Sequence, residues 1–127
     1  MFRILLIEDD RTLRRALALT LSKKGYDVTE AENGDEGLRA AREQRVDLVI
    51  TDLIMPGKEG LETIRELRRH SPLVPIIAIT GGGRGAATNY LQMAAQFGAA
   101  KVFEKPFDFS ALCEAVGTLL EKASETP

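Results

Sequence analysis

Short apolar runs alternate along the chain with longer segments in which apolar residues recur three or four positions apart. The runs have the length of strands, and the longer segments have the period of helices. The predicted strands cover residues 2–7, 26–31, 47–51, 74–79 and 101–104. The predicted helices cover about 11–24, 33–43, 57–69, 85–97 and 109–122. Near-continuous apolar strands joined by helical crossovers predict an α/β fold: a doubly wound five-stranded parallel sheet with five helices covering both faces.

Length and composition narrow the class of protein. The chain has 127 residues and 44% hydrophobic content, which suits one domain over 1–122 and a short polar tail, 123–127, expected to fray. A net charge of −2, with both signs interspersed, argues against direct nucleic-acid contact. Apolar runs are too short to span a membrane, the chain starts directly with a strand, and Cys113 is the single cysteine. A cytoplasmic protein without membrane contact is therefore expected.

The central apolar run stops on a carboxylate. Asp52 directly follows residues 48–51, and Pro56 and Gly57 then mark a turn. A buried, ionised carboxyl group is unfavourable by several kcal/mol, as an order of magnitude, unless a cation or hydrogen-bond donors compensate. The carboxyl ends of strands are also where ligands bind in open α/β sheets. Asp52 is thus the primary candidate for a functional residue.

Other functional groups follow the first, fourth and fifth strands and should converge on Asp52. They are Glu8, Asp9, Asp10, Thr80 and Lys105. Crowded carboxylates favour a hard cation with oxygen ligands, and Mg²⁺ fits because it leaves positions for phosphate oxygens. Asp52 could then act as a nucleophile that forms an acyl phosphate, with Lys105 and Thr80 stabilising the phosphoryl charge. The set predicts metal-dependent phosphoryl transfer onto Asp52.

Four segments in this order resemble the receiver domain of bacterial two-component response regulators. They are residues 4–10, residues 52–57, Thr80 and residues 105–107, and the likeness covers about 2–120. The resemblance implies a flavodoxin-like fold with strand order 2-1-3-4-5. It also implies a signalling switch, not classed as an enzyme, that takes a phosphoryl group from a sensor histidine kinase or a phosphotransfer protein.

The same resemblance implies a role for each matching residue. Asp52 would be the phosphoacceptor, Thr80 the switch hydroxyl and Lys105 the phosphate-binding ammonium, followed by a cis peptide at Pro106. The implied metal ligands are Asp9, Asp52, the backbone carbonyl of Ile54 and, directly or through water, Glu8. A downstream target or output domain is also implied, and the family often forms homodimers through the region of the fourth helix, fifth strand and fifth helix.

Two departures from the family pattern concern switching. Val102 stands three residues before Lys105, where the family usually has a Tyr or Phe, and Phe103 should point to the other face of the sheet. Three glycines, 81–83, follow Thr80 and should soften the next loop. These departures leave open a receiver-like module that binds partners without phosphorylation.

Two further functional interpretations fit the sequence less well. A hydrolase of the haloacid dehalogenase kind would need an acid where Ile54 stands. The glycine-rich segment 81–86 fits a loose dinucleotide fingerprint, but it follows the fourth strand rather than the first.

Overall fold

The computed structural model describes residues 1–53, 60–81, 92, 95, 96 and 98–125. Strands and helices alternate along these residues as the hydrophobic pattern predicts. The elements are β1 (Arg3–Ile7), α1 (Arg11–Lys23), β2 (Asp27–Ala31), α2 (Gly34–Glu43), β3 (Leu48–Asp52), α3 (Gly60–His70), β4 (Ile76–Thr80), β5 (Lys101–Glu104) and α4 (Phe109–Glu125).

The five strands form one parallel sheet in the order β2-β1-β3-β4-β5. This confirms the predicted doubly wound architecture and its strand order. Four helices lie in the described part of the chain, whereas the fourth of the five predicted helices, over 85–97, falls mainly outside it.

Each face of the sheet carries its own apolar core, because alternate residues of a strand point to opposite faces. One core joins the sheet to α2 and α3, and its buried members include Leu5, Ile7, Val49, Leu38 and Ile64. The other joins the sheet to α1 and α4, and its buried members include Ile4, Leu6, Ile50, Leu17 and Val116. Burial on both faces explains why the inner strands are apolar at nearly every position.

Several element boundaries differ from those predicted. β4 begins at Ile76 instead of residue 74, because Pro75 has no N–H to donate to the sheet. The helix predicted from residue 57 is described from Gly60, and residues 54–59 lie outside the description. The last helix continues to Glu125, so residues 123–125 are helical where a frayed tail was expected.

None of the helices in the described stretches combines the length and the apolar character that crossing a membrane requires.

Candidate functional site

Three carboxylates meet where β1 and β3 end. Glu8 and Asp9 directly follow β1, and Asp52 is the last residue of β3, which pairs with β1. One oxygen from each carboxylate lies within 4.8 Å of the others. Glu8 and Asp52 are buried, whereas Asp9 is exposed and leaves the cluster open to solvent. The sheet therefore brings together residues more than forty positions apart, as their place at strand ends predicts.

Lys105 closes this cluster from the β5 side. Its Nζ lies 2.8 Å from Asp52 Oδ2 and 2.9 Å from Glu8 Oε1, so one ammonium pairs with both buried acids. Its backbone N–H donates to the carbonyl of Thr80, which fixes the residue after β5 against the end of β4. The peptide bond between Lys105 and Pro106 is cis.

The two acids change the ionisation of Lys105. Burial alone lowers the pKa of the ammonium, but its hydrogen bonds with Asp52 and Glu8 outweigh that effect. The pKa of Lys105 is therefore raised above its usual value, and the side chain stays charged at neutral pH. A permanent positive charge beside Asp52 suits the recognition of an anionic group.

The pKa of Glu8 is also raised in these surroundings, which for a carboxyl group favours the neutral form. Burial raises its pKa from 4.5 to about 7, against hydrogen bonds from the Asp10 amide and Lys105 that lower it. The Asp10 N–H donates to Glu8 Oε2 over 3.0 Å. Glu8 thus titrates near neutral pH, so a proton and a bound cation would compete for its carboxylate.

This shift predicts how the metal-free protein responds to pH. Between pH 4.5 and 7 the folded state holds a proton on Glu8 that the unfolded chain has released, so stability falls as pH rises. A Glu8→Gln variant lacks this titration, and the wild type should lose about 3 kcal/mol relative to it between pH 5 and pH 8, as an order of magnitude. Urea unfolding of both proteins in chelator-treated buffer measures the difference. A difference that stays constant with pH would contradict the assignment.

Asp10 takes no part in the acid cluster. Its carboxylate caps α1 by accepting the Leu13 N–H over 3.1 Å. Asp10 lies one residue beyond the acid pair, and its role as a helix cap explains why α1 begins at residue 11.

Thr80 ends β4, on the strand next to Asp52. Its hydroxyl oxygen is buried and has no hydrogen-bond partner among the described residues. An unsatisfied buried hydroxyl is unfavourable by about 1–3 kcal/mol, so the site suits an acceptor that arrives from outside the chain. A phosphoryl oxygen would supply one.

Val102 and Phe103 lie on opposite faces of β5, which confirms that Phe103 cannot take the place of Val102. Val102 packs against the core beneath α2 and α3, whereas Phe103 packs against the core beneath α1 and α4. The ring of Phe103 lies 6.0 Å from that of Phe107, which stacks on Phe109. Phe103, Phe107 and Phe109 therefore lie on the face of the sheet away from Val102.

Two predicted features cannot be placed. The backbone carbonyl of Ile54 and most of the glycine-rich segment 81–86 lie outside the described residues.

Gly60 is a site-supporting residue that the sequence pattern did not reveal. A Cβ at this position would overlap the backbone of Asp52 and Leu53, and the Gly60 N–H donates to the Leu53 carbonyl over 3.0 Å. The start of α3 therefore rests directly on the end of β3. A glycine four residues after a Pro suggests a turn, but only the packing reveals the lack of space.

The fold carries an acid cluster and a lysine at its strand ends, and comparison with known proteins identifies the family. Residues 4–117 match the response regulator receiver domain family. The chain belongs to this family and is therefore a receiver domain of the two-component class, a signalling switch. Response regulators interact with histidine kinases and output domains.

Individual relatives agree with this assignment. The transcriptional regulatory protein ResD of Bacillus subtilis is 36% identical over 124 residues, covering 98% of this chain and 50% of that protein. GlrR, a transcriptional regulatory protein of Escherichia coli, is 36% identical over 121 residues, covering 95% of this chain and 27% of that protein. The chain thus spans about a quarter to a half of the length of these curated relatives.

Solved structures match almost the whole chain. A response regulator receiver domain protein from Clostridium thermocellum superposes with a TM-score of 0.91 at 28% identity, covering 100% of both chains. The chemotaxis response regulator CheY4 of Vibrio cholerae gives a TM-score of 0.84 at 28% identity, covering 94% of this chain and 98% of that one.

Proposed function

We propose that this receiver domain accepts a phosphoryl group on Asp52, in a Mg²⁺-dependent reaction, from the phosphohistidine of a sensor histidine kinase or a phosphotransfer protein. The observation that carries the proposal is the pairing of Lys105 with both Asp52 and Glu8, beside the open carboxylate of Asp9. An ammonium and three carboxylates in one pocket form a site for a cation and a phosphoryl group together.

The residues of the cluster fit Mg²⁺. Carboxylate oxygens of Glu8, Asp9 and Asp52 are the hard ligands that this ion prefers, and the exposure of Asp9 leaves room for water and phosphate oxygens. When bound, the ion would neutralise charge on the acids and on the incoming phosphoryl group. The carbonyl of Ile54 is proposed as a further ligand on the family resemblance.

The chain's own groups account for the transfer. A carboxylate oxygen of Asp52 forms a bond to phosphorus as the bond from phosphorus to the donor's imidazole nitrogen breaks, and the imidazole leaves with its electron pair. Lys105, held at 2.8 Å from Asp52, would contact a phosphoryl oxygen and stabilise its charge. The Thr80 hydroxyl would donate to another phosphoryl oxygen and so gain a hydrogen bond that none of the described residues supplies.

The proposed consequence of phosphorylation is a change in partner binding. Val102 has no ring to turn toward Thr80, so switching would rely on the hydroxyl and the following glycines more than on an aromatic rotation. The downstream partner would be a target protein or an output domain. A second copy of this chain, bound through β5 and its neighbouring helices, is a further proposed partner. The buried single cysteine, Cys113, suits a reducing compartment, and we place the protein in the cytoplasm.

Incubation with Mg²⁺ and a small acyl phosphate donor should add one phosphoryl group to the protein, as read from intact mass. Treatment with a chelator should abolish the labelling, because three carboxylates without a cation repel an anionic donor. Addition of excess Mg²⁺ should restore it. Labelling that proceeds equally well in the chelator would contradict the metal-dependent mechanism.

A further inference from the structure

The partly buried guanidinium of Arg14 reaches from α1 to the loop that carries Glu8 and Asp9. Its Nη1 donates to the backbone carbonyl of Glu8 over 2.9 Å, and its Nε donates to Glu30 Oε1 over 3.0 Å. Only 12% of its side chain is exposed, compared with 66% for the neighbouring Arg15. This arginine therefore connects three elements: the helix that carries it, β2 through Glu30, and the loop that follows β1.

The loop that Arg14 contacts is the one that carries two of the acids. Residues 8–10 join β1 to α1, and the last pair of the β1–β2 ladder is Ile7 with Ala31. The carbonyl of Glu8 lies just beyond that ladder, and Arg14 donates to it. The Glu8 carboxylate is meanwhile held by the Asp10 amide and by Lys105. Backbone and side chain of Glu8 are thus fixed from different sides.

We infer that Arg14 is a positioning residue for the cation site: pinned by Glu30, it fixes the Glu8 backbone and so the direction of the Glu8 and Asp9 carboxylates. The inference rests on the proposed Mg²⁺ site. Groups that orient metal ligands without touching the metal typically change metal affinity by about 10–100-fold when they are removed. The planar guanidinium suits this role because it offers donors to two acceptors in a fixed geometry, which a lysine cannot reproduce.

Charge alone makes the opposite prediction for Arg14. A guanidinium near a cation site repels the cation, so its removal should tighten binding if only charge matters. Positioning predicts that removal weakens binding. The sign of the change in Mg²⁺ affinity therefore distinguishes the two effects. Arg15 supplies the matched control, because it carries the same charge on the exposed side of α1 and approaches Glu30 only to 4.0 Å.

The test is isothermal titration of the full chain with Mg²⁺ alone, at one pH and ionic strength. Arg14→Lys and Arg14→Met should each bind Mg²⁺ about tenfold more weakly than the unsubstituted protein. Arg15→Met should bind equally well or slightly more tightly. Urea unfolding without Mg²⁺ is measured in parallel, because a purely structural role would change that stability and leave the dissociation constant unaltered. Arg14→Lys, which keeps the charge, covers the case in which Arg14→Met does not fold.

Two results would overturn the inference. One is a Mg²⁺ dissociation constant for Arg14→Lys equal to that of the unsubstituted protein. The other is tighter binding, by a similar factor, in Arg14→Met and Arg15→Met. If the unsubstituted protein itself bound no Mg²⁺, the proposed metal-dependent function would fail together with the inference. A failure of the inference alone would leave Mg²⁺ binding by the unsubstituted protein intact.

Discussion

Phosphoryl incorporation should disappear when Asp52 is replaced by Asn. The substitution removes the carboxylate that we propose as the nucleophile and as one ligand of the proposed cation site, while it keeps the size of the side chain. Incorporation from a small acyl phosphate donor in Mg²⁺ should fall by about a thousandfold or more, to the limit of detection, since loss of a nucleophile removes the covalent step itself. Intact mass after incubation measures it.

The matched control for this experiment is Asp35→Asn, which makes the same chemical change at an exposed position in the first turn of α2. It should be labelled like the wild type. Thermal unfolding of both variants establishes that each is folded. Labelling of Asp52→Asn at the wild-type level would show that the acceptor is another residue and would remove the central assignment.

Replacing Lys105 by Ala should separate phosphoryl recognition from metal binding. At pH 8 without metal, the change leaves Glu8 and Asp52 buried without their shared counter-ion, which should lower stability by about 2 kcal/mol. This loss of stability is smaller than the loss expected when one partner of a fully buried ion pair is removed. The reason is that Lys105 is 25% exposed and Glu8 can take up a proton. Mg²⁺ affinity should be equal or higher, since an ammonium that competes for both acids is gone. The response to beryllium fluoride, measured as binding of this phosphoryl mimic, should also weaken. The affinity should fall by about tenfold, because one charge-assisted hydrogen bond to the mimic is lost.

Lys101→Ala serves as the control because it removes the same charge from the exposed start of β5. All three measurements should remain near their wild-type values. A loss of Mg²⁺ affinity in Lys105→Ala as large as its loss of response to the mimic would contradict the division of roles between the amine and the acids.

The sequence was sufficient to predict that Asp52 and Lys105 meet, although 53 positions separate them. The carboxyl ends of parallel strands share one edge, so a polar residue at the end of an apolar run has its position fixed by topology alone. The same logic placed Glu8, Asp9 and Thr80. The alternation of side chains along a strand was likewise enough to separate Val102 from Phe103.

Contacts that depend on packing could not be predicted in this way. Arg14 and Arg15 are adjacent and alike in sequence, and both approach Glu30, at 3.0 and 4.0 Å. Only the packed structure shows that Arg14 also donates to the Glu8 carbonyl. The sharing of Lys105 between two acids, at 2.8 Å from Asp52 and 2.9 Å from Glu8, also depends on packing that a hydrophobic pattern does not specify. Boundaries set by one missing donor, such as the start of β4 after Pro75, were also beyond a hydrophobic pattern.

The contact between Gly60 and the end of β3 bears on how this domain tolerates mutation. Position 60 requires glycine because there is no space for a Cβ atom. An unusual backbone angle is not the reason, since the described glycines with a positive φ are Gly25 and Gly98. An added methyl group would press on the main chain of Asp52 and turn its carboxylate relative to the ammonium of Lys105. A change as small as one carbon atom could thus silence signalling in a domain whose hydrophobic layers stay intact.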